Sequence, residues 1–258
     1  MNAVLEFEAV DYRYPAQQVF ALRGFSVRVP QGEKIAVVGR NGSGKSTFFM
    51  HCNGLYRPLA GTVRFRGRIL AYDRASLLAL RQRVGIVFQN PDDQLFSASV
   101  AQDISFGPLN LGLETGEVRR RVSAAAALCE VADLLDRPTH ALSGGEKARV
   151  ALAGVLAMDP EVLIIDELLA NLDPWGRIRT LGILDRLHSQ GKTLLLASHD
   201  LSLVGQWATF VIVMEMGRAS FAGSLEQLLS DEQALVRTGL MEVWPFYEAP
   251  QHEGLSKG

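Results

Sequence analysis

The sequence predicts an α/β fold in which a mainly parallel sheet carries an antiparallel β subdomain and a helical insertion. Short all-apolar runs at residues 162–165 and 193–197 are typical of central parallel strands. Strand patterns alternate with helical patterns, which favours a sheet covered by helices on both faces. The glycine-rich run GRNGSGKST at residues 39–47 directly follows the apolar residues 35–38. Together these features predict a P-loop (RecA-like) core.

The first ninety residues are predicted to be mostly strands. Strand patterns lie at residues 4–14, 21–29, 33–39, 62–65, 68–70 and 84–88. The turn Arg66-Gly67 makes the runs at 62–65 and 68–70 a hairpin. One helix is predicted at 46–55, directly after the glycine-rich run.

The remainder of the chain changes from helical to strand patterns. Between residues 90 and 160 the pattern is helical, with helices predicted at 118–136 and 146–158. Further strands are predicted at residues 162–165, 193–197, 210–214 and 219–222. Beyond residue 231 the pattern weakens. Residues 244–247 could pack locally, and 251–258 is predicted to be a frayed terminus.

Length and composition limit the class of protein. A chain of 258 residues fits one large domain or a core with a subdomain. The net charge of −2 provides no global basic field for nucleic acid. The two cysteines, Cys52 and Cys129, make no disulfide framework and indicate a reducing compartment. The start of the chain has no signal-peptide pattern, and no apolar run approaches the roughly 18 residues of a spanning helix.

The glycine-rich run has the pattern of a phosphate-binding loop, although the pattern also fits a glycine-rich turn without a ligand. Its glycines let the backbone aim N–H groups at phosphate oxygens, and the following helix N-terminus adds positive potential. Lys45 would interact with the β- and γ-phosphates, and Ser46 would offer its hydroxyl to Mg²⁺. The run therefore predicts binding of a nucleoside triphosphate with Mg²⁺.

An acid pair, Asp166-Glu167, ends the apolar strand at 162–165. Asp166 would hold Mg²⁺ through water, and Glu167 would orient and activate the attacking water. Alone such a pair often only starts a loop. Beside a phosphate-binding loop it predicts triphosphate hydrolysis.

The segment Ser143-Gly144-Gly145-Glu146 has two interpretations. It is a capping box, in which Ser143 is the N-cap and the Glu146 side chain accepts a hydrogen bond from the backbone N–H of Ser143. A helix N-terminus with glycines and a free hydroxyl is also an anion site. Since the phosphate-binding loop already serves one nucleotide, a second anion site suggests that two copies of the chain share each ATP.

Three further residues carry weak signals when taken singly. Gln89 follows the strand at 84–88, where its amide could reach Mg²⁺ or water. His199 follows the strand at 193–197 and could donate to the γ-phosphate, although it fits an ordinary loop histidine as well. Tyr14 could stack on adenine or simply pack.

In their order along the chain these features resemble the ATP-binding cassette (ABC) ATPase family. The order is an aromatic residue, the phosphate-binding loop, Gln89, LSGGE at 142–146, the acid pair, Asn171-Leu172-Asp173 and His199. The resemblance spans about residues 3–229. It implies an ABC ATPase domain at 1–230, with its core at about 1–89 and 160–230 and a helical subdomain at about 90–159. Residues 231–258 would form a C-terminal extension.

The resemblance also implies residue roles. Tyr14 stacks on the adenine, Glu167 is the catalytic base and His199 is the switch histidine. Gln89 senses the γ-phosphate and links to the membrane partner, and Asp173 lies in a loop that crosses the dimer interface. The residues implied to contact phosphates are Gly39, Asn41, Gly42, Ser43, Gly44, Lys45, Ser46 and Thr47, with Ser143, Gly144 and Gly145 reaching the partner's nucleotide. The residues implied at Mg²⁺ are Ser46, Gln89 and Asp166. Such proteins work as head-to-tail dimers around two ATP.

Two positions depart from the common family pattern. Leu168-Leu169 replaces the usual Pro-Thr or Pro-Ser, which frees the backbone beside Glu167 but removes no catalytic atom. Glu146 replaces the commoner Gln at the end of the signature. Neither change predicts an inactive enzyme.

A finer resemblance is to the ATPases of energy-coupling-factor importers, especially the cobalt and nickel group. It rests on QNPDDQLF at 89–96, FGPLNLGL at 106–113 and AGVLAM at 153–158. It implies a homodimer at the cytoplasmic face of the membrane, with a transmembrane coupling protein and a substrate-binding membrane subunit. Leu95 and Phe96 would lie in the groove for the coupling helices, unless both are simply core.

Three alternatives remain for the function. The importer could serve a vitamin such as biotin. The chain could be an ABC ATPase that acts on DNA or ribosomes, or a P-loop kinase for a small molecule.

Overall fold

The computed structural model describes residues 2–237 and Leu240. Its strands are β1 (Ala3–Tyr12), β2 (Leu22–Pro30), β3 (Lys34–Val38), β4 (Ala60–Phe65), β5 (Arg68–Ile69), β6 (Val84–Val87), β7 (Val162–Asp166), β8 (Thr193–Ala197), β9 (Phe210–Glu215) and β10 (Arg218–Ser224). Its α-helices are α1 (Lys45–Cys52), α2 (Arg74–Arg83), α3 (Val100–Asn110), α4 (Thr115–Leu128), α5 (Gly144–Leu156), α6 (Pro174–Ser189), α7 (Leu201–Trp207), α8 (Leu225–Ser230) and α9 (Glu232–Arg237). The expectations for residues 244–247 and 251–258 lie outside the described residues.

The central sheet has six strands in the order β10-β9-β3-β8-β7-β6. All neighbouring pairs from β9 to β6 are parallel, and β10 joins the edge antiparallel to β9. Every residue of β6, β7 and β8 is buried, which explains their largely apolar sequences. The predicted mainly parallel α/β sheet is confirmed.

A second sheet is antiparallel, with the strand order β2-β1-β4-β5. It corresponds to the predicted antiparallel subdomain. Its inner face packs on α1 through the clustered rings of Phe7, Phe25 and Phe48. This packing fixes the first strands against the helix that follows the glycine-rich loop.

The segment between β6 and β7 contains α3, α4 and α5 with short 3-10 turns. The three helices pack on one another around Ile104, Val122 and Leu152. The helix predicted at 118–136 ends earlier, at Leu128, because Cys129 caps it and Glu130 takes a left-handed backbone conformation.

Helices α2, α3, α6, α7, α8 and α9 were not predicted individually from the sequence. Pro108 lies inside α3, and α2 buries only Leu80. Helices α2, α3 and α6 are nevertheless marked by their N-caps, where Asp73, Ser99 and Asp173 accept backbone N–H bonds. The caps are the local signal that hydrophobic periodicity misses.

The parallel arrangement brings four strand ends to one edge of the sheet. The glycine-rich loop follows β3, and the acid pair closes β7. Gln89 lies just beyond β6, and His199 just beyond β8. Because the carboxyl ends of parallel strands open at the same edge, residues far apart in sequence meet there.

Candidate active site

Close approach of neighbouring backbone requires glycine at two positions of the loop between β3 and α1. A Cβ at Gly39 would lie 2.3 Å from the carbonyl oxygen of Met214, and one at Gly44 would lie 2.6 Å from that of Ala21. Gly44 is also the N-cap of α1, with φ 105°. The loop is therefore held between β9 and the segment that enters β2, and its conformation excludes side chains.

Lys45 lies buried at the first turn of α1 and points back into the loop. Its Nζ donates to the carbonyl oxygen of Gly39 at 2.9 Å. The same atom lies 3.3 Å from Oε1 of Glu167 and 3.3 Å from Nε2 of His199. One ammonium group thus connects the loop to the ends of β7 and β8.

Glu167 is the point where the predicted residues meet. Its backbone is left-handed, with φ 51°, at the N-cap of the 3-10 turn Leu168–Asn171. Oε1 lies 2.6 Å from Nε2 of His199, and Oε2 accepts from Nε2 of Gln89 at 3.2 Å. The structure therefore brings Lys45, Gln89, Glu167 and His199 into one hydrogen-bonded group.

Two leucines stabilise the backbone beside Glu167. Leu168 and Leu169, which replace the usual proline and hydroxyl residue, are buried in the core beneath the helical segment. Burial of these two apolar side chains holds the turn, which the proline ring of the common family pattern would stiffen instead. The departure from the family pattern therefore leaves the glutamate firmly placed.

Asp166 and Ser46 form a pair of oxygen donors next to this group. Burial raises the pKa of the Asp166 carboxyl, and a hydrogen bond from the Ser46 side chain opposes that shift. A carboxylate, a hydroxyl and the nearby Gln89 amide are hard donors that fit Mg²⁺ with phosphate oxygens. The described residues contain no cluster of three or more His, Cys, Asp or Glu side chains suited to a metal. The donor set thus fits magnesium completed by a nucleotide.

A cavity of about 480 Å³ lies over the loop. Its lining comprises Tyr14, Gln17, Val19, Phe20, Ala21, Asn41, Gly42, Gly44, Lys45, Ser46, Thr47, Gln89 and Glu167. Tyr14 lies two residues beyond the end of β1, although the predicted strand extended to it, and its hydroxyl is 2.9 Å from Oγ1 of Thr47. The cavity has the volume and the polar floor of a nucleotide site.

Sequence reasoning missed the apolar side of this cavity. Val19 and Phe20 are exposed apolar residues in the loop between β1 and β2. Two apolar side chains in a short polar loop, five and six residues after a tyrosine, were the available signal.

The remaining predicted residues do not join the cavity. Ser143 is the N-cap of α5 in a complete capping box, in which its N–H donates to Glu146 Oε2 at 2.7 Å. Asp173 caps α6 by accepting from the N–H of Gly176 at 2.7 Å. Both interpretations of the serine-glycine segment remain open within one copy of the chain, since the cap is formed and its helix end is exposed.

An apolar groove lies between the central sheet and the helical segment. It has a volume of about 320 Å³, and its apolar lining includes Phe88, Phe106, Val155 and Met158. Phe96 also lines it, with 65% of its surface exposed and its ring 4.7 Å from that of Phe106. Leu95, in contrast, packs against the core. Among the described residues, no helix combines the length and apolarity needed to cross a membrane.

Comparison with known proteins agrees with this geometry. The family model described as ABC transporter matches residues 22–170. The cobalt import ATP-binding protein CbiO of Rhodobacter capsulatus is 46% identical over 93% of this chain and 85% of its own length. The energy-coupling factor transporter ATP-binding protein EcfA of Methanosphaera stadtmanae is 40% identical over 95% of this chain and 87% of its own.

A solved structure has the same fold. The structure of cbiO1 from Clostridium perfringens, described as part of the ABC transporter complex cbiONQ, is 39% identical with a TM-score of 0.80. The match covers 94% of this chain and 100% of that one. The chain therefore belongs to the ATP-binding proteins of ABC transporters, in the energy-coupling factor group, and it is an ATPase.

Proposed function

We propose that the chain is the ATP-hydrolysing subunit of an energy-coupling-factor importer that takes up a transition-metal ion, cobalt or nickel. Two named relatives support the metal assignment, since the Rhodobacter protein is named for cobalt import and the Clostridium protein is a cbiO1. In this proposal the chain lies at the cytoplasmic face of the membrane. It drives a transmembrane coupling protein and a substrate-binding membrane subunit.

The convergence on Glu167 is the observation that carries the proposed chemistry. Its carboxylate accepts from Gln89 and contacts Lys45 and His199 at the edge of the nucleotide-sized cavity. ATP entering the cavity brings phosphates that compete with Glu167 for the Lys45 ammonium. The carboxylate is then free to accept a proton from water, as a general base does.

The neighbouring residues have supporting roles in this proposal. His199 Nε2 donates to the γ-phosphate. Gln89 couples binding of the γ-phosphate to a change at the apolar groove. Mg²⁺, held by Ser46, Asp166 and Gln89 with phosphate oxygens, would neutralise charge on the transferring group. Tyr14 provides a ring for the adenine, and the backbone N–H groups of residues 39–47 receive the phosphates.

Two glycines support a dimer that shares each nucleotide. Gly144 and Gly145 occupy the first turn of α5, where a Cβ would meet nothing within 4 Å. Glycine disfavours a helix relative to alanine, so both residues cost some stability within one copy. The bare helix end leaves room for the γ-phosphate of a nucleotide held by a second copy. We therefore propose a homodimer with two shared ATP, in which the loop at Asp173 crosses the interface.

The apolar groove is the proposed docking site for the coupling protein. Contiguous exposed apolar side chains mark interaction sites, and the exposed rings of Phe96 and Phe106 contact each other edge to face in this groove. The groove also borders the segment after Gln89. A shift of Gln89 on nucleotide binding would therefore move the docking surface. The helices between 90 and 159 form the subdomain that would carry this movement relative to the core at 1–89 and 160–230.

Glu167→Gln tests the chemical assignment. We expect turnover of ATP to fall by about 10²–10⁴, the scale of a positioned general base, because the amide accepts no proton. Binding of ATP should persist, because the phosphate-binding loop is intact. Turnover is measured by phosphate release, and ATP binding by fluorescence of a nucleotide analogue.

The matched control is Glu114→Gln, which changes an exposed carboxylate at the start of α4 with no side-chain capping bond. It should hydrolyse ATP at the parent rate. Parent-level turnover in Glu167→Gln would show that another group is the base.

Copurification and uptake test the transport assignment. The chain should copurify with integral membrane proteins, and the reconstituted complex should take up Co²⁺ or Ni²⁺ with ATP. Uptake of biotin instead would favour the vitamin importer. Tight binding to ribosomes or DNA, or a small phosphate acceptor that raises turnover in the isolated chain, would favour the remaining alternatives.

A further inference from the structure

The segment from residue 57 to residue 83 is strongly basic in a chain that is nearly neutral. It contains seven arginines and one acid, Asp73, whereas the whole chain has 26 basic and 28 acidic residues. Six of these arginines are exposed, namely Arg57, Arg66, Arg68, Arg74, Arg81 and Arg83. Arg81 lines the apolar groove, and we call the other five the arginine surface. Such a concentration of one sign creates a local positive field that attracts anions.

Part of the arginine surface lines a cavity of about 510 Å³ beside α2. Arg66 and Arg68 enter it from the β4–β5 turn, and Arg83 enters it from the end of α2. Glu161 is the acid that pairs with both Arg66, at 2.8 Å, and Arg83. One carboxylate thus serves two guanidinium groups, and a net positive charge remains.

Arg68 and Arg74 contribute charge without local neutralisation. Among the described residues, neither side chain forms an ion pair or a hydrogen bond, and both are exposed. Their guanidinium groups are therefore available to an external anion. The planar guanidinium fork matches the oxygens of a phosphate better than an ammonium group does.

Exposed apolar side chains lie in the same segment as these arginines. They are Leu59 and Ile69, and Ile69 lines the same cavity as Arg68. The exposed Leu55 and Leu78, in contrast, line the apolar groove. A surface that combines basic and exposed apolar side chains is typical of segments that lie on a membrane interface. A soluble anion would require the charges but not the exposed apolar side chains.

The position of α2 connects this surface to the proposed docking groove. Ser76 and Arg83 face the arginine-lined cavity, whereas Leu78, Arg81 and Gln82 line the apolar groove on the other side of the helix. The inference rests on the proposed function for this orientation. If the groove receives a membrane protein, the arginines one helix width away face the bilayer beside it.

We propose that the arginine surface binds the phosphate headgroups of anionic phospholipids in the cytoplasmic leaflet. The contact adds affinity for the membrane that the protein partner does not supply. It also sets the tilt of α2, which forms one wall of the docking groove. The occupant is a lipid surface, because the charge complements lipid phosphate and the exposed side chains of Leu59 and Ile69 complement the acyl boundary.

Vesicle binding of the full chain tests the proposal. We expect the chain to float with phosphatidylglycerol–phosphatidylcholine vesicles and not with pure phosphatidylcholine. The double variant R68Q/R74Q should partition roughly 25-fold more weakly, since each basic residue near an anionic surface contributes roughly fivefold. Added salt should release the parent, because the screening length falls to about 3 Å at 1 M.

The matched control is R119Q/R218Q, which neutralises two exposed arginines outside the arginine surface that form no ion pair among the described residues. It should bind vesicles as the parent does. Both double variants should keep the parent circular dichroism spectrum and ATP turnover, since neither changes the nucleotide cavity.

Three results would overturn the proposal. They are equal binding of the parent to both vesicle types, parent-like binding by R68Q/R74Q, and full release by millimolar inorganic phosphate at constant ionic strength. The last would identify a site for free phosphate. The vesicles contain no protein, so a failure here leaves the copurification test intact, and a failure of copurification leaves this measurement intact.

Discussion

At the scale of single residues, three side chains of the candidate site converge on one carboxylate. Glu167 accepts from Gln89 and contacts both Lys45 and His199. These are the groups that the proposed mechanism directs toward a γ-phosphate. Because the same donors serve the carboxylate or the phosphate, nucleotide binding and release of the base are linked events.

At the start of α5, alanine would favour the stability of the folded chain, whereas glycine favours the proposed function. Gly144→Ala should stabilise the folded chain by about 0.4–1 kcal/mol, since the site is helical and a Cβ meets open space. ATP turnover should nevertheless fall by at least tenfold, because the methyl group obstructs the nucleotide of the second copy. Urea unfolding and phosphate release measure the two effects.

Gly116→Ala is the matched control for this experiment. Gly116 lies in the first turn of α4, and its Cβ would also meet nothing within 4 Å. It should give a similar gain in stability with unchanged turnover. If Gly144→Ala also retains full turnover, the helix end at Ser143 does not approach a nucleotide.

At the scale of elements, α1 is held by a buried aromatic cluster. His51 is fully buried, contacts the rings of Tyr12 and Tyr56, and lies with Nδ1 2.7 Å from the carbonyl oxygen of Thr47. Nδ1–H donates in the neutral ring, and Nε2 has no partner among the described residues. Protonation would therefore bury an unpaired N–H within the helix that follows the phosphate-binding loop.

This arrangement predicts a stability that depends on pH. Burial lowers the pKa of His51 in the folded state below its ordinary value of 6.5. The unfolded chain then binds a proton that the folded chain does not. Stability is full above about pH 6.5 and is lost as pH falls toward the folded pKa, by at most about 1.4 kcal/mol per pH unit.

His51→Phe should flatten that dependence, because the ring shape remains and the titrating group is gone. The comparison is the slope of unfolding free energy between pH 7 and pH 5, from urea titrations of parent and variant. His140→Gln, an exposed histidine in a 3-10 turn, should keep the parent slope. An unchanged slope in His51→Phe would assign the acid sensitivity to other groups.

At the scale of the whole molecule, three surfaces surround the same few elements. The nucleotide cavity opens at the carboxyl edge of the central sheet. The apolar groove lies beside β6 and α3, and the arginine surface lies across α2 from the groove. Gln89 lies two residues beyond β6 and lines the nucleotide cavity, and the preceding Phe88 lines the groove, so this short segment connects the two sites.

The groove gives a prediction about assembly. Phe96→Ser should reduce copurification with the membrane partner, because loss of a central aromatic anchor costs about 2 kcal/mol or roughly thirtyfold in affinity. ATP turnover of the isolated chain should stay within twofold of the parent, since Phe96 does not line the nucleotide cavity. Pull-down from detergent-solubilised membranes measures the first effect.

The control is Val236→Ser, which removes an exposed apolar side chain on α9, outside the groove. It should copurify at the parent level. Equal recovery of the partner with Phe96→Ser would place the coupling helices elsewhere.

Sequence patterns predicted the elements that are locally encoded. The strand β8 was predicted to its last residue because four of its five residues are apolar and all five are buried. The phosphate-binding loop and the capping box were predicted because each motif is defined by particular residue types at a fixed short spacing. Helix α2 was missed because it buries only Leu80, so its periodicity carries almost no signal.

The sequence by itself determined the fold class and the chemistry of the individual motifs, because both depend on side-chain types at fixed local spacing. Only the tertiary structure decided that Lys45, Gln89, Glu167 and His199 meet, since their distances follow from the order and register of four parallel strands. It also placed arginines from a β-turn and a helix around one cavity. Contacts between residues distant in the chain are set by packing of the whole sheet, which no local pattern encodes.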